Sequence, residues 1–270
     1  SGILTVGGTI LGTSRQPFKL MREPDKNGLD KVAAMKHTYH KLNLDCLVVL
    51  GGNGTHKTAN LLREEGLNVI TLPKTIDNDL WGTDMTFGFQ SAVDIATNTI
   101  DCIHTTATSH SRVFIVEIMG HKVGYLTLNA GIAGGADIIL IPEIPYEFDR
   151  DVIERMKRAQ KSDKVHFVIV VSEAIGGVEE MAKRIEAETG VEARATILGH
   201  VQRGGSPTAK DRIVASQMGY HAVQLLKEGI GNRVVAMQKE KILDFDIFEA
   251  LNMKNSVDLD MYKMSLEISI

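Results

Sequence analysis

Two carboxylates two residues apart, with a lysine and a threonine just ahead of them, fill the stretch Pro73-Lys74-Thr75-Ile76-Asp77-Asn78-Asp79. One carboxylate of such a pair can take a proton from a hydroxyl, and the other can hold a metal-bridged phosphate. In an extended loop Asp77 and Asp79 point the same way. An Asx-rich turn is the plainer reading of a D-N-D tripeptide. The surroundings favour chemistry.

Just before the acidic stretch, Asn68 to Leu72 is a short apolar run rich in β-branched residues and predicts a buried strand. Pro73 is expected to end it, because proline donates nothing to a ladder. Loops after strand C-termini are where open α/β sheets bind ligands. Upstream, Asp45 to Leu50 predicts a second strand. It runs into Gly51-Gly52-Asn53-Gly54-Thr55 and a helix expected from Lys57 to Glu65. A strand, a glycine turn and a helix N-terminus make a phosphate cradle, with backbone N–H groups and the helix dipole facing an anion. The turn is neither a Walker A loop, since Lys57 follows His56 and not glycine, nor G-x-G-x-x-G.

Elsewhere strands alternate with helices. Helices are expected at 27–42, 87–108, 125–133, 151–160, 179–189 and 211–227, strands at 112–118, 138–141, 165–171, 195–198 and 233–238, and a short helical turn at 249–251. This alternation predicts an α/β fold with mostly parallel sheets. His104 and His110 form no metal site with any nearby cysteine or carboxylate pattern. At 270 residues the chain can bury a sizeable core and split into two lobes. Its net charge of −4 offers no general attraction to nucleic acid or an anionic membrane. Two cysteines, Cys46 and Cys102, point to no disulfide framework and fit a reducing cytoplasm. No apolar run approaches the ~20 residues of a membrane span.

The glycine turn followed by the acidic loop resembles the phosphofructokinases, which phosphorylate fructose 6-phosphate at its 1-position with ATP or pyrophosphate. Further runs agree in order: Gly7-Gly8-Thr9-Ile10-Leu11-Gly12-Thr13-Ser14-Arg15, Met119-Gly120, Ala133-Gly134-Gly135-Ala136-Asp137, Ser172-Glu173, and the long run from Arg194 to Pro207. The resemblance covers nearly the whole chain. It implies two Rossmann-like three-layer lobes. Residues 1–87 with 202–252 would form the phosphoryl-donor lobe, and residues 88–201 with 253–270 the fructose 6-phosphate lobe. Members of the family normally carry a first strand and a second glycine-rich loop, G-G-D-x-P-G, ahead of Gly7. The resemblance thus implies an N-terminally truncated piece, which puts the activity of the isolated chain in doubt.

Roles follow by resemblance. Asp77 would be the base for the 1-hydroxyl, with Asp79 supporting it and Mg2+. Thr75, Lys74 and Arg15 would face the transferring phosphate. Gly52, Asn53, Gly54 and Thr55 would cradle the nucleotide, Asn53 also lying near the magnesium. Met119 and Gly120 would contact the sugar through the chain, and Glu173 and Arg203 would hold its hydroxyls. Arg112, Arg194 and His200 would bind the 6-phosphate. In the family the first two of these typically come from a neighbouring subunit, which implies a homo-oligomer, a dimer or tetramer, in the cytoplasm, with no nucleic-acid or membrane partner.

Two positions bear on the donor. Pyrophosphate enzymes typically have an aspartate where Gly54 stands, and glycine there leaves room for a nucleotide. Lys74 is the residue that pyrophosphate enzymes favour. The pairing resembles a mixed group that mostly uses ATP, so ATP is the expected donor and pyrophosphate the alternative. Asn53 stands where aspartate is usual and contributes no charge to a hard cation. His121 stands where arginine is usual. These departures leave a second class open, a non-catalytic relative that binds sugar phosphate. NAD and lipid kinases share a G-G-D-G-T turn, but the 73–79 and 199–205 runs are not expected in them.

Overall fold

The computed structural model describes residues 2–13, 16–253 and 256–269. In chain order the elements are α1 (Lys31–Lys41), β1 (Leu47–Gly51), α2 (Asn53–Glu64), β2 (Val69–Thr75), β3 (Phe87–Gly88) and α3 (Phe89–His110). Next come β4 (Val113–Ile118), α4 (Tyr125–Ala133), β5 (Ile138–Leu140), a π-helical segment (Asp149–Glu154) continuing into α5 (Arg155–Gln160), and β6 (Phe167–Ser172). Then follow α6 (Val178–Thr189), β7 (Ala193–Ile197), a 3-10 helix (Gly199–Arg203), α7 (Ala209–Lys227), β8 (Arg233–Gln238), β9 (Lys241–Asp246), α8 (Ile247–Asn252) and α9 (Leu259–Ile268).

The chain divides into two compact units, residues 1–88 with 207–255 and residues 89–206 with 256–270. In the first, the sheet order is β1-β2-β8-β9, with β3 also paired to β2. Every pairing is parallel except the β8–β9 hairpin. Alternation along the strands makes this unit three-layered. Val69 and Val234 pack with α1, α2 and α8, whereas Ile70, Leu72, Val235 and Met237 pack with α7 through Val214, Met218 and Ala222.

The second unit carries an all-parallel sheet, β5-β6-β4-β7. All six residues of β6 are buried, the continuous apolar run expected when helices cover both faces. Val113, Ile115, Ile169 and Val171 face Met156, Val178 and Ile185 of α5 and α6. Their neighbours Val116, Ile118, Val168 and Val170 are equally buried. The α/β class with mostly parallel sheets holds in both units.

Several expected boundaries shift for physical reasons. Strand β2 does not stop before Pro73 but runs through it to Thr75. The missing N–H costs little there: Gly51↔Pro73 is the last pair with β1, and on the other side pairing passes from β8 at Thr71 to β3 at Lys74. Helix α1 starts at Lys31, not Asn27, because the Asp30 carboxylate caps it by accepting from the Ala33 N–H. Helix α2 starts inside the glycine turn, at Asn53, rather than at Lys57. Strand β9 was not anticipated. Its two-residue turn, Lys239-Glu240, takes φ of 48° and 62° without glycine or asparagine, the usual cue for such a hairpin.

Candidate active site

The first unit assembles the acidic loop. Strand β2 delivers Thr75, whose hydroxyl lies 3.3 Å from Asp77 Oδ2 and accepts from the Asp77 N–H at 3.2 Å. Asn78 then takes the left-handed conformation, φ 54°, and is 8% exposed. Its Nδ2 donates to the Asp84 carbonyl (3.1 Å) and its Oδ1 accepts from the Thr86 N–H (2.8 Å). The Thr86 hydroxyl donates back to the Thr75 carbonyl (2.7 Å). The loop is therefore not extended, and the two carboxylates do not act as a matched pair. Asp77 turns back to Thr75, whereas Asp79 meets helix α2: Asn53 Nδ2 donates to Asp79 Oδ2 (2.8 Å) and to its carbonyl (3.3 Å).

That contact joins the acidic loop to the glycine turn. Gly52 caps α2, and Asn53, Gly54 and Thr55 fill its first turn, where N–H groups lack helical partners. Glycine is required at Gly51, because a Cβ there would lie 2.3 Å from Thr55 Oγ1. At Gly54 nothing stands within 4 Å of an added Cβ, so packing makes no demand for glycine. Asn53 Oδ1 is buried and has no hydrogen-bond partner among the described residues. An orphaned amide oxygen beside a carboxylate suits a hard divalent cation. No group of three or more His, Cys, Asp or Glu side chains that could hold a metal occurs among the described residues. Lys74 is exposed and makes no ion pair among the described residues. Arg15 lies outside the described residues.

Two neighbours of this turn were not singled out from sequence. His56 is 4% exposed. Burial pulls its pKa down to about 4, against a smaller upward pull from the Leu72 backbone, so the imidazole is neutral at pH 7. The Lys57 ammonium stands 5.6 Å from the centroid of the Trp81 ring.

The second unit brings Met119, Gly120 and Glu173 together just past the C-terminal ends of β4 and β6. Glu173 Oε1 accepts from the N–H groups of Gly120 (2.9 Å) and His121 (2.6 Å). Gln202, 1% exposed, accepts from the Met119 N–H at 2.9 Å through Oε1. Three successive backbone donors are thereby pinned by two side chains. A Cβ at Gly120 would sit 2.7 Å from the Val123 carbonyl oxygen, so the turn demands glycine. Glu117, behind this turn, has its pKa raised by burial first and then by the charges of Glu173 and Glu179.

Arg112 and Arg194 come together on a residue not anticipated, Glu192. Arg112 Nε donates to Glu192 Oε2 at 2.6 Å, and Arg194 Nη2 donates to Oε1. The hydrogen bond from Arg112 is the main cause that holds the Glu192 carboxyl below its usual range. His200 and Arg203 stand exposed on the short 3-10 helix and form no ion pair among the described residues.

A glycine turn opening a helix beside an acidic loop, in an α/β unit with a mostly parallel sheet at its centre, is an arrangement that suits phosphoryl handling. The sequence profile described as Phosphofructokinase matches residues 1–226, and the chain belongs to that family. It is 48% identical to the ATP-dependent 6-phosphofructokinase of Spirochaeta thermophila, with 96% of this chain and 78% of that protein covered. Against the ATP-dependent 6-phosphofructokinase of Bacillus subtilis the identity is 45%, covering 99% and 82%. The crystal structure of Pichia pastoris phosphofructokinase in the T-state superposes with a TM-score of 0.83 at 32% identity. That match covers 99% of this chain but 31% of the much longer yeast chain. No helix among the described residues is long and apolar enough to cross a membrane.

Proposed function

We propose that the chain is an ATP-dependent 6-phosphofructokinase, moving the terminal phosphoryl group of ATP to the 1-hydroxyl of fructose 6-phosphate. The observation that carries this reading is the pairing of Asn53 with Asp79 beside the Thr75–Asp77 pair, at the end of a central strand and against a helix N-terminus. Close identity to two ATP-dependent relatives supports it.

Asp77 takes the proton from the 1-hydroxyl as that oxygen bonds to phosphorus and the bond to ADP breaks. Thr75 orients the Asp77 carboxylate through the Oγ1–Oδ2 contact. When the donor enters, the same hydroxyl can turn to the transferring phosphate, which Lys74 would also serve, with Arg15 assigned to it by family resemblance. The N–H groups of Asn53, Gly54 and Thr55 cradle the donor beside Gly52. Asn53 Oδ1 and the Asp79 carboxylate would hold Mg2+. Magnesium, when bound, supplies charge neutralisation at the donor phosphates. In the other unit, Glu173 fixes the Gly120-His121 backbone with one oxygen and has the second for a sugar hydroxyl, joined by Arg203. Arg112, Arg194 and His200 take the 6-phosphate. On this reading residues 1–88 with 207–255 are the donor unit and the rest the sugar-phosphate unit. The arginines would serve a neighbouring subunit of a cytoplasmic dimer or tetramer.

The test is phosphorylation of fructose 6-phosphate with magnesium, with ATP and pyrophosphate run side by side. Turnover with ATP is expected. Turnover with pyrophosphate alone would give Lys74 the decision over Gly54. Tight sugar-phosphate binding with no turnover from either donor would favour a non-catalytic relative.

A further inference from the structure

Asn53 and Lys57 are four residues apart in α2 and so occupy one face of it, a turn apart. Asp79 and Trp81 flank Leu80, which is 2% exposed, and both lie toward that face. The two segments therefore meet at two successive levels. At the level of the phosphate turn the contact is the Asn53–Asp79 hydrogen bond (2.8 Å). One turn further along, it is the Lys57 ammonium at 5.6 Å from the Trp81 ring.

The means of holding Lys57 matters. It makes no ion pair among the described residues, while most arginines of the chain sit on carboxylates. A carboxylate partner would cancel the charge of the lysine. A ring face holds an ammonium through its quadrupole and leaves the net charge in place. The result is a positioned and uncancelled cation one turn beyond a helix N-terminus that already favours anions.

We propose that Lys57, held by Trp81, is a specificity-determining ligand for the donor phosphates that are not transferred. The inference rests on the phosphofructokinase reading above and names how that site grips its donor. Trp81 acts through Lys57 and is a positioning residue.

The chain contains one tryptophan, so its emission reports this pair alone. Titration with magnesium and ATP should shift the emission saturably, and fructose 6-phosphate by itself should not. Lys57→Met keeps the stem and removes the charge. It should raise both the half-saturating ATP concentration in that titration and the KM for ATP by roughly ten- to hundredfold, the worth of a charge-assisted hydrogen bond. The KM for fructose 6-phosphate should not change. Trp81→Leu should raise the KM for ATP about two- to fivefold, and Trp81→Phe, which keeps a ring face, should restore it. A KM for ATP in Lys57→Met within about twofold of the parent value would overturn the proposal, as would leucine and phenylalanine behaving alike at position 81. Failure of the parent to phosphorylate the sugar would instead overturn the kinase reading, with the emission titration still deciding whether Lys57 binds the donor.

Discussion

The two groups of proposed phosphate-handling residues are built on opposite principles. Around Asp77 and Asp79 the polar groups lock onto backbone and onto one another: Asn78 to the backbone of Asp84 and Thr86, Thr86 to that of Thr75, and Asp79 to Asn53 in the first turn of α2. Around Arg112 and Arg194 the common partner is Glu192, and these side chains are about a third to half exposed. A network tied to backbone holds a base within the narrow geometry proton transfer demands. A surface carboxylate between two arginines spaces them, but a phosphate with more charge and more oxygens can displace it. Chemistry needs the first arrangement, and reversible capture of an anion is served by the second.

The contrast can be broken most decisively at Asp77. Asp77→Ser should cut kcat by at least roughly 10²-fold while leaving sugar-phosphate binding largely intact. An unchanged kcat would remove the base and with it the argument for a rigid loop. The buried side should also be acid-labile. His56 has a folded pKa of about 4 against an ordinary 6.5, so between those values the unfolded chain binds the extra proton. Its contribution is complete above pH 6.5 and is lost as pH falls through about 4, a loss of about 3 kcal/mol. Urea titrations at pH 7 and pH 4.5 should show this slope in the parent and not in His56→Phe; equal slopes would contradict it.

Asn78→Ala takes the partner from the buried Thr86 N–H and from the Asp84 carbonyl, and places alanine at φ 54°. It should destabilise the chain by about 2–3 kcal/mol. Asn78→Gly, which accepts the angle, should recover part of that loss in the same denaturation assay. The smallest effect is expected at Glu192. Glu192→Gln should leave the Tm where it was and strengthen binding of fructose 6-phosphate about two- to fivefold, by releasing the arginines. Calorimetry showing weaker sugar-phosphate binding would mean that Glu192 aligns the arginines and does not compete for them.

The same contrast explains what could be read without coordinates. The α/β order, the glycine turn and the acidic loop are each contiguous in sequence and could be read there, although β2 takes Pro73 to Thr75 from the loop and α2 takes Asn53 to Thr55 from the turn. Asn78 was hidden because D-N-D draws attention to its acids, while the fold uses the asparagine as the left-handed pivot. The Asn53–Asp79 contact spans 26 residues and that of Arg112 with Glu192 spans 80, distances over which no periodicity speaks. Gln202 lies inside a run that was noticed, yet glutamine carries no chemical cue, and only its place against Met119 gives it meaning. Strand β9 was missed because lysine and glutamate occupy a turn that usually declares itself with glycine.

The position of β8 between β2 and β9 has a consequence for how the protein is made. Strand β2 ends at Thr75, but its neighbour begins only at Arg233, after the whole four-stranded sheet of the other unit. At ribosomal speed that leaves the margin of β2 ahead of its short pairing with β3 open for roughly ten to thirty seconds. Nascent chains halted just short of Arg233 should therefore be cut by protease around β1 and β2 while the segment from β4 to β7 resists. On the ribosome, of the two sheets, the one that starts first is the one that finishes last.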